Sequence, residues 1–155
     1  MFSCPLLYRT MSNKKTYRSS SRSVSDLKAH LVLTTKYRAK CINAAILEQL
    51  DASIRNLCQK WGVKLIEFNG EDNHIHLLFS YYPQMQLSKF INNLKTVTSV
   101  KVNKDFSEHL SNFFWKKDEN SKGEFWNDSY AIESVGGANI EILEQYIRNQ
   151  DAPKC

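Results

Sequence analysis

The sequence predicts an α+β sandwich in which one antiparallel sheet carries two helices on a single face. Two segments repeat their apolar residues at three- and four-residue steps, as amphipathic helices do. Four shorter segments are rich in β-formers or alternate apolar with polar residues, as strands do. The segments follow one another in the order β-α-β-β-α-β, which is that of the ferredoxin-like βαββαβ arrangement.

The first predicted unit is a strand followed by a helix. LKAHLVLTT (27–35) is rich in β-formers and predicts the first strand. Apolar residues then recur at helical spacing through 43–61, which predicts an amphipathic helix. Asn43 is a suitable N-cap for this helix, and Gly62 stands just past its end.

Two strands and a second helix follow. VKLIEFN (63–69) alternates and predicts the second strand, and HIHLLFS (74–80) predicts the third. The short polar link around 70–73 joins these two strands into a hairpin. Helical spacing returns over 87–106, and the polar, irregular segment 107–124 predicts a long loop.

The end of the chain predicts one more strand and one more helix. FWNDSYAIESV (125–135) predicts the fourth strand, which the pair Gly136-Gly137 ends. NIEILEQYIRNQ (139–150) has helical spacing with Asn139 as its N-cap, and predicts a C-terminal helix. One face of the sheet then remains open for a cover or a ligand.

Length and composition predict one domain with a basic surface. The chain has 155 residues, 42% of them hydrophobic and 24% charged, as in an ordinary globular protein. A net charge of +5 and a pI near 9.0 favour nucleic acid as a partner, although a plain basic surface would give the same values. The four cysteines show no Cys-x-x-Cys spacing, which excludes a zinc ribbon or a thioredoxin-type motif. Without a signal peptide or an apolar segment of membrane-spanning length, we expect a cytoplasmic protein with no membrane partner.

The N-terminal 25 residues differ in composition from the rest of the chain. SNKKTYRSSSRSVS (12–25) is rich in serine and basic residues, and it cannot bury enough apolar area to offset the cost of ordering. We therefore expect 1–25 to be a flexible basic arm and 26–155 to be the folded domain that carries the function. The arm could contact phosphates, or it could be a non-essential extension.

Two histidines lie one residue apart in the third predicted strand. Because side chains alternate across a strand, His74 and His76 share one face, and Ile75, Leu77 and Phe79 lie on the other. The apolar face must contact the helices, so the histidines belong to the open face. Imidazoles at this spacing can converge on one metal ion or one phosphate, whereas a structural role is the alternative.

The last predicted helix carries two further candidates. Tyr146 and Gln150 are four residues apart and share a helix face, while Ile140, Leu143 and Ile147 form its packing stripe. Tyr146 could equally be a core aromatic and Gln150 a solvated residue near the helix end. Beside a histidine pair on an open sheet face, however, a tyrosine and an amide are plausible partners in one site.

Five fragments of the chain together carry a resemblance to a known family. They are HLVLTTKYR (30–38), DNHIHLL (72–78), LSKFINNLKTVTS (87–99), FWNDSYAIESVGG (125–137) and YIRNQ (146–150). In this order and at this spacing they resemble the single-tyrosine HUH transposases of insertion sequences, the TnpA proteins of the IS200-like group. The resemblance covers nearly all of residues 27–150.

The resemblance implies an enzyme that binds DNA hairpins at element ends and cuts and rejoins single-stranded DNA. It implies that Tyr146 attacks the DNA to form a 5′-phosphotyrosine, and that His74, His76 and Gln150 hold a divalent metal ion. Imidazole and amide ligands suit Mn²⁺ and tolerate Mg²⁺. The resemblance also implies a homodimer with exchanged terminal helices, in which Tyr146 of one chain faces the histidine pair of the other.

Six residues are expected to contact the DNA. They are Lys36, Tyr37, Arg38, Lys40, Lys95 and Lys101. The first four follow the first strand, where cations would bind phosphates and the tyrosine would stack on a base. A solvated basic loop or helix face is the alternative for each group. Val100 stands where the family often has an arginine, which leaves DNA specificity less certain than the chemistry.

Two other classes of function remain open from the sequence. A ferredoxin-like sheet with an open face also suits a non-catalytic, RNA-recognition-like or regulatory protein that binds nucleic-acid hairpins. A metal-dependent phosphodiesterase without a covalent intermediate would need the histidines but not Tyr146.

The histidine of the first predicted strand, His30, is expected to be structural because it lies on a different strand from the pair.

Overall fold

The computed structural model describes residues 18–20, 23–114, 125–136 and 140–149. Its strands are β1 (Arg18–Ser20), β2 (Ser23–Ser25), β3 (Leu27–Thr34), β4 (Lys64–Gly70), β5 (His74–Tyr81) and β6 (Ala131–Ser134). Its helices are α1 (Ala44–Trp61), α2 (Leu87–Asp105), α3 (Ser107–Leu110) and α4 (Ile140–Arg148). A short 3₁₀ turn, Lys36–Arg38, follows β3.

Strands β3 to β6 form one antiparallel sheet in the spatial order β4-β5-β3-β6. The first and third strands of the βαββαβ unit therefore lie at the centre, and the second and fourth lie at the edges. This topology confirms the predicted ferredoxin-like α+β fold. The predicted hairpin between the second and third strands is also present, as β4 and β5.

The hydrophobic core lies between one face of the sheet and helices α1 and α2. Ile75, Leu77 and Phe79 on β5 are fully buried, as are Leu50 on α1 and Phe90 on α2. Burial of each such side chain contributes roughly 1.5–3 kcal/mol to folding. The alternation that the sequence predicted for β5 is therefore confirmed.

Helix α1 begins and ends where the sequence predicts. The Asn43 side-chain oxygen accepts a hydrogen bond from the Ile46 amide at 2.8 Å, which satisfies one of the unpaired donors at the helix start. At the other end, Gly62 has a φ of 68°, a left-handed conformation that glycine adopts without a steric penalty. These two residues fix the length of the helix.

The hairpin between β4 and β5 closes tightly at Gly70. A Cβ atom added there would lie 2.8 Å from the His74 carbonyl oxygen and 3.1 Å from Cδ1 of Leu47 in α1. That same carbonyl accepts a hydrogen bond from the Glu71 amide at 2.9 Å. Glycine thus allows the start of β5 to approach α1 closely.

The segment that the sequence predicted as a long loop, 107–124, begins with helix α3 instead. Leu110 in this helix is buried in the core, and His109 Nε2 lies 2.9 Å from the Cys41 carbonyl oxygen. These two contacts dock the segment onto the domain, which its polar composition does not reveal. Residues 115–124 lie outside the described residues.

The fourth strand is shorter than the predicted 125–135. Only Ala131–Ser134 pairs with β3 as a strand, although Trp126 forms an isolated bridge with Thr35. Trp126 is buried and donates its indole N–H to Thr98 Oγ1 at 2.9 Å. The start of this segment therefore packs into the core through its side chains and pairs with the end of β3 through this bridge and the bond from the Asn127 amide to the Thr34 carbonyl oxygen.

The end of the expected flexible arm takes part in pairing. Strands β1 and β2 form a small antiparallel hairpin within 18–25. The Arg18 guanidinium donates to the carbonyl oxygens of Ser80 and Gly62, each at 2.8 Å, and lies 4.0 Å from the centre of the Tyr82 ring. The chain is thus attached to the domain upstream of the expected boundary at residue 26. Residues 1–17, 21 and 22 of the arm lie outside the described residues.

In the part of the chain that the structure describes, no helix combines the length and the apolar character needed to cross a lipid bilayer.

Candidate active site

The histidine pair lies on the sheet face that is turned away from α1 and α2. His76 pairs with Val32 of β3 and with Asn69 of β4, and His74 pairs with Thr34. The two imidazole rings are 4.9 Å apart between centroids and nearly perpendicular. Because β5 is a central strand, His76 is only 5% exposed. The strand alternation therefore places both side chains where the sequence predicts.

Helix α4 lies against this face through contacts with β4. Asn69 Nδ2 donates to the Ile147 carbonyl oxygen at 3.1 Å, and the Ile147 side chain is fully buried. Arg148 forms an ion pair with Glu67. One buried side chain and two polar contacts thus hold the C-terminal helix on the second strand of the sheet.

This placement brings Tyr146 to the histidine pair. The Tyr146 ring meets the His76 ring edge to face, with centroids 5.8 Å apart and planes at 88°. The Tyr146 side chain remains accessible to solvent, since 54% of the residue is exposed. A phenol and two imidazoles from elements that are far apart in the sequence therefore meet at one surface.

The structure contains one chain, so the contact between Tyr146 and His76 is described within that chain, where Asn69 and Glu67 hold α4. The expected homodimer with exchanged terminal helices stays a prediction.

The fourth predicted site residue, Gln150, lies outside the described residues, so its position relative to the histidines stays a prediction. Within the described ranges, no group of three or more His, Cys, Asp or Glu side chains is arranged to hold a metal ion. The histidine pair alone would supply two ligands, and a complete site needs at least one more.

The ring nitrogens of the pair nevertheless fit a cation. His76 Nε2 is buried and has no hydrogen-bond partner among the described residues. His74 Nδ1 lies 2.7 Å from Asn73 Oδ1, an oxygen that can only accept, so this nitrogen carries the proton. The Nε2 atom of His74 then has its lone pair available, and a lone pair on imidazole nitrogen is what a metal ion needs.

Burial, together with smaller contributions from the nearby His74 and His30, lowers the pKa of His76 from 6.5 to about 4. His76 is therefore neutral at neutral pH. Metal ions bind the neutral form of imidazole, so the protonation state of His76 fits that of a metal ligand.

The contact between His30 and His76 was not predicted from the sequence. Its Nε2 lies 2.9 Å from His76 Nδ1, and its Nδ1 lies 3.0 Å from Glu133 Oε1 on β6. The His30 and His76 rings are also nearly parallel, with centroids 5.2 Å apart. His30 was expected to be structural because it lies on another strand. In the ferredoxin-like order, however, that strand is the neighbour of β5, and this order was the signal that could have revealed the contact.

The predicted DNA-contacting residues divide into two groups. Lys36, Tyr37 and Arg38 form the 3₁₀ turn at the His74 end of β3, and the Thr35 amide before them donates to the Asn73 carbonyl oxygen at 2.9 Å. Lys40 follows this turn and is exposed. The site and this basic turn therefore share one end of the sheet.

The other two lysines belong to α2, which packs on the opposite face of the sheet from the histidines. Lys95 donates to the Asp128 carbonyl oxygen at 3.0 Å, and burial lowers its pKa despite the nearby Asp128 carboxylate. Lys101 is exposed. The structure does not bring this second group together with the histidine pair.

Comparison with protein families identifies the chain. The sequence model of the family described as "Transposase IS200 like" matches residues 23–150, which is most of the chain. The chain belongs to the IS200-like transposase family. The resemblance seen in the five sequence fragments is thereby confirmed.

Two individual transposases are similar in sequence to this chain. The chain is 28% identical over 123 residues to the transposase of insertion sequence IS200 from Salmonella typhimurium, covering 79% of this chain and 76% of that one. It is 26% identical over 127 residues to the ISDra2 transposase TnpA of Deinococcus radiodurans, covering 82% and 86% of the two chains.

Two solved structures share the fold. A crystal structure of a protein from Deinococcus radiodurans that was assigned as a transposase superposes with a TM-score of 0.60 at 26% identity, covering 87% of this chain and 98% of that one. A REP-associated tyrosine transposase bound to a REP hairpin superposes with a TM-score of 0.53 at 10% identity, covering 84% and 70%. The second likeness shows the fold alone.

We expect the metal-free protein to lose stability as the pH falls from about 6.5 to about 4. In this window the unfolded chain protonates His76, whereas the folded protein keeps it neutral, so protonation favours unfolding. At ~1.4 kcal/mol per pH unit, this one residue would account for up to about 3 kcal/mol of the unfolding free energy. Urea unfolding in the presence of EDTA at a series of pH values measures it.

The matched control for this pH dependence is His76→Gln, which has no titrating ring. Other groups contribute to the slope in both proteins, so the difference between the two slopes isolates His76. Identical slopes for wild type and variant would contradict the assigned cause.

Proposed function

We propose that this transposase binds hairpins at the ends of an insertion sequence and cuts and rejoins single-stranded DNA there through a 5′-phosphotyrosine on Tyr146. The observation that carries the proposal is the contact between the Tyr146 and His76 rings, at 5.8 Å between centroids. Beside that contact, His76 presents a buried ring nitrogen without a hydrogen-bond partner among the described residues. A nucleophile and a potential metal ligand are thus adjacent.

In this proposal His74 and His76 hold a divalent cation, Mn²⁺ or Mg²⁺, through their Nε2 atoms, and Gln150 supplies a further ligand. When bound, such a cation neutralises the non-bridging phosphate oxygens and polarises the phosphorus. The protein's own contribution is to fix the two rings. Asn73 orients His74, and the neighbouring strand orients His76.

Tyr146 acts as the nucleophile. The phenol loses its proton as its oxygen forms a bond to phosphorus, the bond from phosphorus to the 3′ oxygen breaks, and that oxygen takes up a proton and leaves as a 3′-hydroxyl. The new phosphotyrosine ester keeps the energy of the broken bond. A later 3′-hydroxyl can therefore attack it, release the phenol and rejoin the DNA without a nucleotide cofactor.

The anchored helix provides the proximity that this reaction needs. The Ile147 backbone and Arg148, the two residues that follow the tyrosine in the chain, are both bonded to β4. These bonds limit the movement of the phenol relative to the histidines. Holding reacting groups in position can contribute several kcal/mol to lowering a reaction barrier, roughly 7–11 in favourable cases.

The basic turn after β3 is the proposed contact to the DNA. Tyr37 is 82% exposed and has a φ of 59°, a left-handed conformation that costs a non-glycine residue of order 1–3 kcal/mol. The turn is held in this shape by backbone bonds of Lys36 to Phe125 and of Arg38 to Thr35, each 3.0 Å long. An exposed ring held among cations suits base stacking and phosphate binding. Lys40, Lys95 and Lys101 would contact more distant phosphates.

Two further points concern partners. A protein of the same fold has been solved with a REP hairpin, which supports a hairpin as the DNA partner.

We also propose a homodimer with shared active sites. Because Asn69 and Glu67 occur in both subunits, a partner's β4 could hold α4 through the same contacts and keep Tyr146 beside a histidine pair.

The rival functions gain no support from the site. A non-catalytic binding protein of the RNA-recognition type would carry exposed aromatic rings on its central strands. Here those strands carry the buried His30 and His76 on the open face instead. A phosphodiesterase that uses water would have no need of Tyr146, so the first experiment below separates it from the proposal.

We expect Tyr146→Phe to abolish the covalent protein–DNA adduct, because the phenolic oxygen is the atom that bonds to phosphorus. The measurement is incubation with labelled single-stranded element ends and Mn²⁺, followed by a denaturing gel. Tyr130→Phe, which also alters an exposed tyrosine, is the control and should still form the adduct. An adduct with Tyr146→Phe would refute the nucleophile, and cleavage without any adduct would favour the phosphodiesterase.

Replacing His74 or His76 by Ala should weaken Mn²⁺ binding by more than about tenfold, a loss that even outer-shell changes can cause. Electron paramagnetic resonance of unbound Mn²⁺ measures the affinity without DNA or activity. His109→Gln serves as the control, because His109 bonds to the Cys41 carbonyl oxygen away from the site. Unchanged binding in both alanine variants would remove the proposed metal role.

Tyr37→Ala should weaken hairpin binding by about 1–3 kcal/mol, the usual contribution of one base stacked on an aromatic ring. Tyr37→Phe keeps the ring and should bind as the wild type does. Fluorescence anisotropy with a labelled hairpin gives both affinities. Equal affinity for the alanine and phenylalanine variants would show that the ring does not stack.

A further inference from the structure

A chain of hydrogen-bonding groups crosses three neighbouring strands behind the candidate metal ligand. Glu133 on β6, His30 on β3 and His76 on β5 follow one another at 3.0 Å and 2.9 Å. Glu133 and His30 are direct partners in the register of the sheet, so the chain is built into the strand pairing. Both imidazoles are buried, at 7% and 5% exposure, while the carboxylate reaches the surface.

The chemistry of Glu133, His30 and His76 decides which group donates and which accepts in each of these two hydrogen bonds. A carboxylate oxygen only accepts hydrogen bonds, so His30 Nδ1 must carry the proton that lies between it and Glu133. A neutral imidazole has one N–H, and His30 Nε2 is then the acceptor. His76 Nδ1 must therefore donate to it, which leaves the lone pair of His76 on Nε2.

The direction matters because neutral histidine in water prefers to carry its proton on Nε2. In that form the nitrogen that would bind a cation is blocked. His76 is buried, and its Nε2 has no hydrogen-bond partner among the described residues that could set the tautomer from that side. The bond to His30 is the contact that selects the less common form.

His74 reaches the same state through a different neighbour. Its Nδ1 lies 2.7 Å from the amide oxygen of Asn73, which likewise only accepts. Two unrelated hydrogen bonds thus place the proton of each histidine on Nδ1. Because two independent hydrogen bonds have the same effect on the two rings, they indicate that both Nε2 atoms serve the same ligand.

We propose that Glu133 and His30 are positioning residues that hold the proton of His76 on Nδ1 and so present its Nε2 lone pair to a divalent cation. This inference rests on the proposed function, because it takes His76 as a metal ligand. This role requires no contact of either residue with the cation. They act through the ring of His76, as a carboxylate behind a metal-bound histidine does in other metal sites.

The decisive variant is Glu133→Lys, because it replaces an acceptor by a donor at the outer end of the hydrogen-bonded series Glu133–His30–His76. A lysine would donate to His30 Nδ1, His30 would then donate from Nε2 to His76 Nδ1, and the His76 proton would move to Nε2. The Glu133 side chain is 65% exposed, so we expect the variant to keep the fold. Ser134→Lys is the charge control, since it adds a cation at the neighbouring exposed position.

Two substitutions at position 30 complete the set. His30→Leu removes the acceptor, whereas His30→Gln keeps an amide oxygen that can accept from His76 Nδ1. If the hydrogen bond is what matters, His30→Gln rescues what His30→Leu loses. A merely structural role of His30 would not distinguish them in this way.

The first readout is the tautomer of His76 in the metal-free protein, from the ¹⁵N shifts of its ring nitrogens. The second is Mn²⁺ affinity by electron paramagnetic resonance. We expect the proton on Nδ1 in wild type, Ser134→Lys and His30→Gln, and on Nε2 in Glu133→Lys and His30→Leu. The last two should bind Mn²⁺ about 10- to 100-fold more weakly, the usual effect of losing an outer-shell partner.

The two readouts separate the two claims. An unchanged tautomer in Glu133→Lys and His30→Leu, or a changed tautomer with unchanged Mn²⁺ affinity, would overturn the positioning role. Failure of wild-type protein to bind Mn²⁺, with no paramagnetic broadening of His76, would instead overturn the proposed metal site, even if the tautomers followed the expected pattern.

Discussion

Strand β5 hydrogen-bonds to β3 on one side and to β4 on the other, and the rest of the molecule is arranged around this central position. Its odd-numbered residues fill the core, and its even-numbered residues face the opposite side of the sheet. The same backbone therefore fixes both the packing of the helices and the spacing of the histidine pair. A shift of one residue in its register would exchange the two faces and destroy both.

This central position imposes a cost that the surroundings offset. An imidazole at 5% exposure loses most of its contact with water, and a buried polar group without partners destabilises a fold. The bond to His30 satisfies one ring nitrogen of His76. The other nitrogen is left without a described partner, and an apolar residue would pack there with less penalty. Such unfavourable choices are common at sites where function outweighs stability.

The C-terminal helix contributes to the site through its backbone as much as through its side chains. Its bond from Asn69 to the Ile147 carbonyl oxygen involves main chain, so a change of side chain at Ile147 would leave it intact. The ion pair between Arg148 and Glu67 lies at the surface and adds little by itself. The buried Ile147 side chain is therefore the main anchor, and the exposed Tyr146 beside it can point to the histidines.

Much of this arrangement follows from local sequence patterns. The helix over 44–61 was predictable because its caps, Asn43 and Gly62, have specific chemical roles at helix ends. The common face of His74 and His76 was predictable because strand alternation is a property of the backbone. In both cases the information lies within a few neighbouring residues, and the structure confirms it.

What the sequence did not reveal depends on contacts between distant residues. His30 and His76 are 46 positions apart, and Arg18 and Ser80 are 62 apart, so neither bond leaves a local pattern. Helix α3 has only four residues, too few for a periodic signal. The metal ligation by Gln150 and the DNA contacts stay predictions, because they concern residues and partners beyond those that the structure describes.

Gly70 shows how a residue without any functional group can govern where a candidate site residue lies. A single added carbon would press on the His74 carbonyl and on a leucine of the first helix. The backbone at the start of β5 would then have to shift to make room, and His74 would move with it. Any side chain there would therefore disturb the backbone that carries His74, so the absence of a side chain at Gly70 is itself a requirement of this hairpin.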